Sequence, residues 1–310
     1  MTSAGATNPI TSVVIVTYQS EDYIGPCLRS VVEHAAAPFE VIVVDNASTD
    51  GTRRVVARDL PQARVVAMDE NRWYTAAANA GAERAVGNYL LFLNPDAQLT
   101  KLALPRLVAC MESDPNLAAA GPRLIFPDGA PQASAFTYPT LLMTWLEFFP
   151  HPGRLLGSRL NGRLASRDGR PISIDHPLGA CMLVRRAAWE DVGPFDVGFV
   201  HYCEEVDWCM RAKRRGWAIS HVPTATVVHH GGASAVEAPG LSLEHLYASR
   251  ERLHGRHRGR LFRAAARFIT RLGLGQERRR LRHQLQCAEA SDGAAERLAA
   301  IERVLGRARA

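Results

Sequence analysis

The stretch YLLFLNPDAQLT places a carboxylate, Asp96, just beyond a strand-like run of apolar residues. Asn94, Pro95 and Asp96 can form an ordinary turn, and Asp96 would then have only a structural role. A carboxylate is also a hard oxygen ligand, and Mg²⁺ is usually held by one or two protein ligands together with substrate phosphates. Asp96 is therefore a candidate metal ligand.

Two other polar side chains stand at the ends of apolar runs and favour that interpretation of Asp96. Asp45 ends FEVIVVD, and His229 ends TATVVH. Asp45 could begin a turn through an Asx-type hydrogen bond, or it could accept hydrogen bonds from a nucleotide base or a ribose hydroxyl. His229 could be a nitrogen ligand of the metal, or it could make a structural hydrogen bond. Spacing alone leaves both pairs of alternatives open.

The stretch CEEVDWCMR gathers three acids, Glu204, Glu205 and Asp207, at the start of a predicted helix. Acids in a first helical turn complement the helix dipole, and Asp207 could pair with Arg211 one turn later. Alternatively, neighbouring aromatic residues partly desolvate one carboxylate, which could then take a proton in catalysis. The residues by themselves favour neither interpretation.

Strands and helices alternate through the first hundred residues and would position these groups. Helices between successive strands imply parallel pairing with right-handed crossovers. Because the carboxyl ends of parallel strands share one edge, Thr17, Tyr18, Asp45 and Asn94 should line the same crevice as Asp96. The predicted strands are 12–17, 39–45, 63–68 and 89–93, and the predicted helices are 21–35, 48–60 and 75–86.

The second half of the sequence is less regular. Residues 121–178 are rich in Pro, Gly and Arg and predict loops and short helices. Residues 179–193 predict a strand and a helix, and a further helix should begin near Cys203 and end at Gly216. A last strand should end on His229 and a Gly-rich turn.

The net charge of +6 is unevenly distributed over the 310 residues. Residues 250–282 contain twelve Arg against two Glu, which gives this segment +10 and leaves the rest of the chain at −4. Arginines mixed with apolar residues are typical of helices that lie on an anionic membrane surface. Nucleic acid and a solvated helix packed on the body are the alternatives. We favour the membrane surface and expect no nucleic acid partner.

Three features exclude other classes of protein. The six cysteines are scattered without a CxxC pair, which argues against a disulfide framework and a Cys-rich zinc site. The N-terminus MTSAGATNPI lacks the regions of a signal peptide. The most apolar later window, TLLMTWLEFF, is too short to cross a bilayer and contains Glu147. We therefore expect a cytoplasmic protein that does not span the membrane.

Six ordered motifs between about residues 12 and 260 resemble glycosyltransferase family 2, and most of all bacterial rhamnosyltransferases of cell-wall and surface-polysaccharide assembly. The resemblance implies an inverting nucleotide-sugar enzyme with an α/β GT-A fold, in which helices flank a Rossmann-like, mostly parallel central sheet. It implies a catalytic domain at 1–240, with a nucleotide-binding half at about 10–100 and an acceptor-binding half at about 101–240, and a basic, amphipathic helical C-terminal extension at 241–310. The motifs are VVIVTYQS, VIVVDNASTDGT, LLFLNPDA, GACMLVRRAAWEDVGPFD, CEEVDWCMRAKRRGW and VVHHGGAS.

The resemblance also implies roles for individual residues. Asp96 would bind Mg²⁺ or Mn²⁺ as part of the family's DxD-type motif, and His229 would lie near the diphosphate. Glu205 would be the general base, with Glu204 and Asp207 beside it. The nucleotide site would comprise Thr17, Tyr18, Asp45, Asn79 and Asn94.

Two departures from the family pattern are visible. Glu205 replaces the Asp that is usual at the base position. The side chain still ends in a carboxylate, but it extends farther from the backbone. NRWYTAAANAG replaces a Gly-Phe-rich loop before Asn79, and its Trp73 and Tyr74 would narrow the sugar pocket.

The expected reaction moves a sugar, L-rhamnose from dTDP-L-rhamnose, to a hydroxyl of a saccharide acceptor linked to polyprenyl diphosphate, at the inner face of the cell membrane. A UDP-hexose donor is the alternative within the family. A nucleotidyltransferase would need a basic loop after the first strand, where this chain has the acidic TYQSED. A non-catalytic module that binds a glycan or a polyprenyl lipid is the remaining alternative, and the acidic residues argue against it.

Overall fold

The computed structural model describes residues 11–35, 38–149, 152–231, 239–287 and 293–307. The segment MTSAGATNPI and Gly232 of the predicted Gly-rich turn lie outside these residues. The chain divides into two compact units. The first unit comprises Met1–Phe136, Leu164–Val197 and Glu205–Gly231, and the second comprises Thr137–Arg163, Gly198–Glu204 and Gly232–Ala310.

The first hundred residues form four parallel strands connected by helices, as the sequence predicts. Each strand is a short apolar run, and β1 is buried along its whole length, as is typical of a strand covered on both faces. The strands are β1 (Thr11–Thr17), β2 (Phe39–Asp45), β3 (Arg64–Ala67) and β4 (Tyr89–Leu93), and the helices are α1 (Glu21–His34), α2 (Thr52–Asp59) and α3 (Trp73–Arg84).

The rest of the first unit adds strands, most of them to the same sheet, and helices to its faces. The strands are β5 (Ala97–Leu99), β6 (Leu117–Ile125), β7 (Pro131–Gln132), β8 (Ala135–Phe136), β9 (Ile172–Ser173), β10 (His176–Pro177), β11 (Cys181–Arg185) and β12 (Ala218–His229). Strands β8 and β10 pair with each other in a separate two-stranded sheet. The helices are α4 (Ala103–Ser113), α6 (Arg186–Val192) and α7 (Glu204–Arg214), whose first residue belongs to the second unit.

The prediction for residues 121–178 is incomplete, and one predicted strand boundary is wrong. Residues 121–178, predicted as loops and short helices, contain the short helix Leu141–Phe148, but they also contain the end of β6 and the strands β7 to β10. The last strand was expected from about residue 224, and β12 begins at Ala218. The small residues of LAAAGP lack a β-branched pattern, so the sequence gives little sign that β6 is a central strand.

The sheet has the order β3-β2-β1-β4-β11-β6-β12-β5. The first four strands are parallel, β11 is antiparallel to β4 and β6, and β6 is parallel to β12. The carboxyl ends of β1, β2, β4 and β12 therefore share one edge of the sheet. β11 and β5 begin at that edge, because Cys181 pairs with Leu93 and Ala97 pairs with His229.

Two apolar layers cover the sheet. Along β1, Val13 and Ile15 pack into the layer of α1, α2 and α4, whereas Val14 and Val16 pack into the layer of α3, α6 and α7. Helix α3 lies especially close, since a Cβ at Gly81 would be 2.5 Å from Val14 Cγ1. The absence of a side chain at this position lets α3 approach the sheet.

An aromatic cluster under β4 fixes helix α7. Phe92 lies 5.0 Å from Phe195 and 5.2 Å from Trp189, and Trp189 lies 5.9 Å from the fully buried Trp208 of α7. Trp208 Nε1 also donates to Gly193 O at 2.9 Å. Aromatic pairs at these distances add to the stability gained by burial, so α7 and its second residue, Glu205, are held firmly.

The second unit is helical, and its α-helices are α5 (Leu141–Phe148), α8 (Pro239–His257), α9 (Arg260–Gln286) and α10 (Ala294–Arg307). Tyr247, Leu274 and Ile301 are among the residues of its small core, α5 packs on α9, and α10 packs on α8 and α9. The prediction of C-terminal helices is confirmed. The predicted domain boundary at 240 stays a prediction, and the compact units differ from it because residues 137–163 and 198–204 join the second unit.

No helix within the described ranges is both long enough and apolar enough to cross a membrane.

Candidate active site

Thr17 and Asp45 lie side by side at the ends of β1 and β2, where the strand register pairs them. Both are buried, and Thr17 Oγ1 lies 3.4 Å from Asp45 Oδ1. The other carboxylate oxygen, Asp45 Oδ2, is 3.4 Å from Arg53 Nε and has no hydrogen-bond partner within the described residues. A buried acceptor without a donor is costly, so Asp45 Oδ2 is suited to accept a hydrogen bond from a ligand. Tyr18, the next residue of the predicted nucleotide site, is 42% exposed.

Two asparagines that no motif in the sequence singles out hold the loop that precedes α3. Asn46 Nδ2 donates to Asn71 Oδ1 at 2.7 Å, and Asn46 Oδ1 accepts from Arg72 N at 2.9 Å. Asn71 Oδ1 also accepts from Trp73 N at 2.9 Å. Trp73 has a φ of 63°, which a bulky residue rarely adopts and which costs about 1–3 kcal/mol. The position of Asn46 directly after Asp45 was the only signal in the sequence.

Asp96 and His229 meet at the same edge, because the pairing of Ala97 with His229 sets β5 beside β12. Both side chains are buried, and His229 Nε2 lies 3.4 Å from Asp96 Oδ1. His229 Nδ1 lies 2.9 Å from Gln132 Oε1. With the amide in this orientation its oxygen can only accept, so Nδ1 carries the hydrogen and Nε2 faces the carboxylate of Asp96.

The surroundings of Asp96 favour its ionised form. Burial alone would raise the pKa of this carboxyl, but a hydrogen bond and the charge of His229, with backbone amides of Asp96 and Gly231, lower the pKa below its usual value. Asp96 is therefore an anion at neutral pH.

The donor set of Asp96 and His229 fits a divalent ion that is shared with a phosphate ligand. No cluster of three or more His, Cys, Asp or Glu side chains that could hold a metal exists within the described part of the chain. A closed structural metal centre is thus absent there. One carboxylate and one imidazole leave most coordination positions to phosphate oxygens and water, as Mg²⁺ commonly requires.

Glu205 reaches the same edge from helix α7. Its side chain lies against Gly179, since a Cβ at that glycine would be 3.5 Å from Glu205 Cδ. The next residue, Ala180, accepts a hydrogen bond from Asn94 N at 2.9 Å, two residues before Asp96. Glu205 and the Asn94–Asp96 turn thus contact adjacent residues, Gly179 and Ala180, of the segment that leads into β11.

The carboxylate of Glu205 is poorly solvated. Its Oε2 is shielded from solvent and has no hydrogen-bond partner in the part of the chain that the structure describes. Burial raises the pKa of Glu205 to about 7, although the backbone amides of Glu205 and Val206 act in the opposite direction. A carboxylate with this pKa is a stronger base than usual and is partly ionised at neutral pH.

Other predicted site residues make contacts that support the fold. Asp207 is fully buried and accepts from Arg211 Nε at 2.8 Å, which is the ion pair that the alternative interpretation predicts. Asn79 pairs both ends of its amide with the backbone of Phe195, at 2.8 and 3.0 Å. Glu204 is buried at the first position of α7. The catalytic roles of Asp207 and Glu204 and the nucleotide role of Asn79 stay predictions.

The sequence matches the family model described as Glycosyl transferase family 2 over residues 12–193. The chain belongs to this family. It is therefore a glycosyltransferase, and the family predicted from its motifs is confirmed. Glu205 and His229 lie beyond the matched segment, so their place in the site rests on the geometry described above.

A relative and two solved structures extend the comparison. The chain is 30% identical over 246 residues to N-acetylglucosaminyl-diphospho-decaprenol L-rhamnosyltransferase of Mycobacterium tuberculosis, with 74% of this chain and 79% of the relative covered. Mannosyltransferase PcManGT from Pyrobaculum calidifontis, solved with GDP-Man and Mn²⁺, matches with a TM-score of 0.56 and 18% identity over 98% of this chain and 83% of its own. GalNAc-T7, solved with UDP, GalNAc and Mn²⁺, matches with a TM-score of 0.55 and 17% identity over 72% of this chain. The glycosyltransferase chain spans only 44% of GalNAc-T7. These likenesses show the GT-A fold.

The raised pKa of Glu205 predicts a pH-dependent stability difference between the wild type and Glu205→Gln. Both folded and unfolded carboxyls are protonated below about pH 4.5, so burial of Glu205 carries no ionic cost there. The cost appears as pH rises towards 7, the folded pKa, and is constant above it. Glu205→Gln should therefore become more stable than the wild type by up to about 3 kcal/mol between pH 5 and 8.

Urea unfolding at pH 5, 6, 7 and 8 measures this difference. Glu83→Gln, which changes an exposed carboxylate of the same unit, is the matched control and should follow the wild type at every pH. A stability difference between Glu205→Gln and the wild type that does not change with pH would contradict the poor solvation of the Glu205 carboxylate.

Proposed function

We propose that this glycosyltransferase is a metal-dependent inverting enzyme that transfers a sugar from a nucleotide-sugar to a hydroxyl of a saccharide acceptor. The observation that carries the proposal is the convergence of Asp45, Asp96 and Glu205 on one edge of the sheet. Each has a different environment: Asp45 has an open acceptor oxygen, Asp96 is held as an anion, and Glu205 is basic.

The nucleotide binds at the ends of β1 and β2. Asp45 Oδ2 accepts a hydrogen bond from the base or the ribose, and Thr17 holds the other carboxylate oxygen in place. The loop clamped by Asn46 and Asn71 forms a wall beside them. Thr17, Tyr18 and Asn94 complete this site.

Asp96 and His229 would hold Mg²⁺ or Mn²⁺. When bound, the ion supplies Lewis-acid stabilisation of the charge that develops on the departing diphosphate. Gln132 orients the imidazole of His229 through Nδ1, as the outer partners of metal-binding histidines commonly do.

Glu205 accepts the proton of the attacking acceptor hydroxyl. Because burial makes this carboxylate more basic, its pKa is close to the pH at which the reaction runs. General base catalysis of this kind contributes about 10²–10⁴ in rate. A single displacement from the face opposite the leaving diphosphate inverts the configuration at the anomeric carbon.

The proposed donor is dTDP-L-rhamnose, and the proposed acceptor is a saccharide on polyprenyl diphosphate used in cell-wall or surface-polysaccharide assembly. The support is the similarity to the M. tuberculosis rhamnosyltransferase, which covers about three quarters of each chain. The name of that relative specifies an N-acetylglucosaminyl-diphospho-decaprenol acceptor. A UDP-hexose is the alternative donor. Turnover measured with dTDP-rhamnose and with UDP-hexoses distinguishes the two donors.

We also propose peripheral association with an anionic membrane at its cytoplasmic face through helix α9. Leu261, Phe268 and Leu272 recur at helical spacing on this helix and are 89%, 63% and 43% exposed. Some arginines of 250–282 pair with acids of the second unit, Arg250 with Glu147 for example, so charge alone does not carry this proposal. The exposed apolar stripe among arginines is the stronger support.

Replacement of the base should remove turnover and leave nucleotide binding intact. Glu205→Gln should lower kcat at least 100-fold, because the variant cannot accept the proton of the hydroxyl. Wild-type kcat should rise with pH through an apparent pKa of about 7. Release of nucleoside diphosphate from dTDP-rhamnose and UDP-hexoses measures turnover, and calorimetry measures dTDP binding. Turnover of Glu205→Gln close to that of the wild type or of Glu83→Gln would remove Glu205 from the mechanism.

Loss of the charge at Asp96 should uncouple the metal from the nucleotide. Asp96→Asn should weaken Mn²⁺-dependent binding of dTDP at least tenfold, because a neutral amide is a poorer ligand for a hard cation. Binding measured in EDTA should be unchanged. The control is Asp22→Asn, an exposed acid of α1. If Mn²⁺ strengthens dTDP binding equally in Asp96→Asn and the wild type, the ion is held elsewhere.

Removal of the apolar stripe should release the chain from anionic vesicles. The double variant Leu261→Ser, Phe268→Ser should bind at least tenfold more weakly, since each apolar side chain inserted into lipid contributes about 1.5–3 kcal/mol. Sedimentation with phosphatidylglycerol vesicles measures the effect, and Gln276→Ser on the same helix is the control. Equal sedimentation of the double variant and the wild type argues for a solvated helix.

A further inference from the structure

Helices α5, α8, α9 and α10 of the second unit line a cavity of about 870 Å³. The volume lies within the usual range of small-molecule sites, about 300–1,000 Å³. The proposed catalytic residues are not part of its lining. Much of the wall is apolar and includes Met143, Leu146, Leu156, Ala266, Leu274 and Leu305.

The carboxylate of Glu147 in this wall already has hydrogen-bond partners. Glu147 accepts from Tyr247 Oη at 3.0 Å and from Arg250 Nη1 at 2.6 Å. Burial raises the pKa of Tyr247 above its usual value, so the phenol stays neutral and keeps its proton. Since Glu147 and Arg250 neutralise each other, this part of the wall does not require a charged ligand.

Two cations of the lining remain uncompensated. Arg163 and Arg271 are exposed, and neither has an ion-pair partner among the residues that the structure describes. The other acids of the lining are paired with arginine, Glu244 with Arg303 at 2.6 Å and Glu251 with Arg267. The cavity therefore combines an apolar interior with two positive charges on its solvent side.

We propose that this cavity binds the isoprenoid chain of a lipid phosphate and that Arg163 and Arg271 bind the phosphate. An apolar chain suits the aliphatic wall, and an anionic head group complements the two free guanidinium groups, which bind phosphate oxygens in paired geometry. The choice of an isoprenoid rests on the proposed function, because the acceptor proposed there carries a polyprenyl diphosphate.

Direct binding to the full chain, without any sugar donor, tests the proposal. Calorimetry with farnesyl phosphate should give saturable binding at least tenfold tighter than with geranyl phosphate, since five additional carbons enter the apolar wall. Inorganic phosphate alone and palmitate should each bind at least tenfold more weakly than farnesyl phosphate. Equal affinity for palmitate would overturn the isoprenoid assignment, and equal affinity for inorganic phosphate would overturn the role of the cavity.

Two variants with matched controls on helix α9 locate the binding. Ala266→Phe fills the cavity from a buried position, and Ala264→Phe adds the same ring at an exposed position outside the lining. Arg271→Glu reverses a charge of the lining, and Arg279→Glu reverses an exposed charge outside it. Ala266→Phe and Arg271→Glu should each weaken farnesyl phosphate binding at least tenfold, and the controls should stay within twofold of the wild type.

Thermal unfolding checks that Ala266→Phe is folded. If Ala266→Phe does not fold, binding of farnesyl phosphate to Arg271→Glu decides the proposal. Wild-type affinity in Arg271→Glu would overturn the assignment of the phosphate to this cavity. Transfer by the wild type to a lipid-free saccharide acceptor reports on the proposed function separately. Transfer without farnesyl phosphate binding overturns the cavity proposal alone, whereas chain-length-dependent binding without transfer to any acceptor overturns the proposed function.

Discussion

The parallel pairing of β1 with β2 and β4 is the constraint on which the rest of the structure depends. It sets Thr17 beside Asp45 and brings the Asn94–Asp96 turn to the same edge. β11 and β12 then add Gly179 and His229 at that edge because of their own directions in the sheet. Buried carboxylates are costly, and here each meets a different compensation. Asp45 has Thr17 and Arg53, Asp96 has His229, and Glu205 has only nearby backbone amides, so its charge is the least stabilised.

Much of the fold of the first hundred residues could be predicted from the sequence, because its signals are local. Continuous apolar strands and amphipathic helices alternate there, and the structure has the same elements within a few residues. Strand β6 was not identified, because its small residues show no alternation of apolar and polar side chains. Its pairing with β11 and β12 makes it a strand. The association of residues 137–163 with the C-terminal helices depends on the packing of α5 against α9, which no local pattern reveals.

The candidate site was predictable where a residue ends a strand. Asp45, Asp96 and His229 were found in this way, and Glu205 was distinguished from the two acids beside it only by the family resemblance. Asn46, Asn71 and Gln132 were missed because their amides act across loops that are far apart in the chain. The structure adds the physical difference between Glu205 and Asp207, because it pairs Asp207 with Arg211 and leaves Glu205 Oε2 without a partner in the described residues.

The contact between His229 and Gln132 has a consequence for the order in which the site is assembled. An amide, unlike a carboxylate, adds no charge behind the imidazole, so Asp96 and an imidazole that binds a metal would together contribute one negative charge. Such a pair holds a free divalent ion weakly, because most of the attraction must come from phosphate oxygens. In the proposed enzyme Asp96 and His229 would therefore hold the ion only while the phosphate oxygens of the nucleotide-sugar are also present, so metal and nucleotide would bind and leave together.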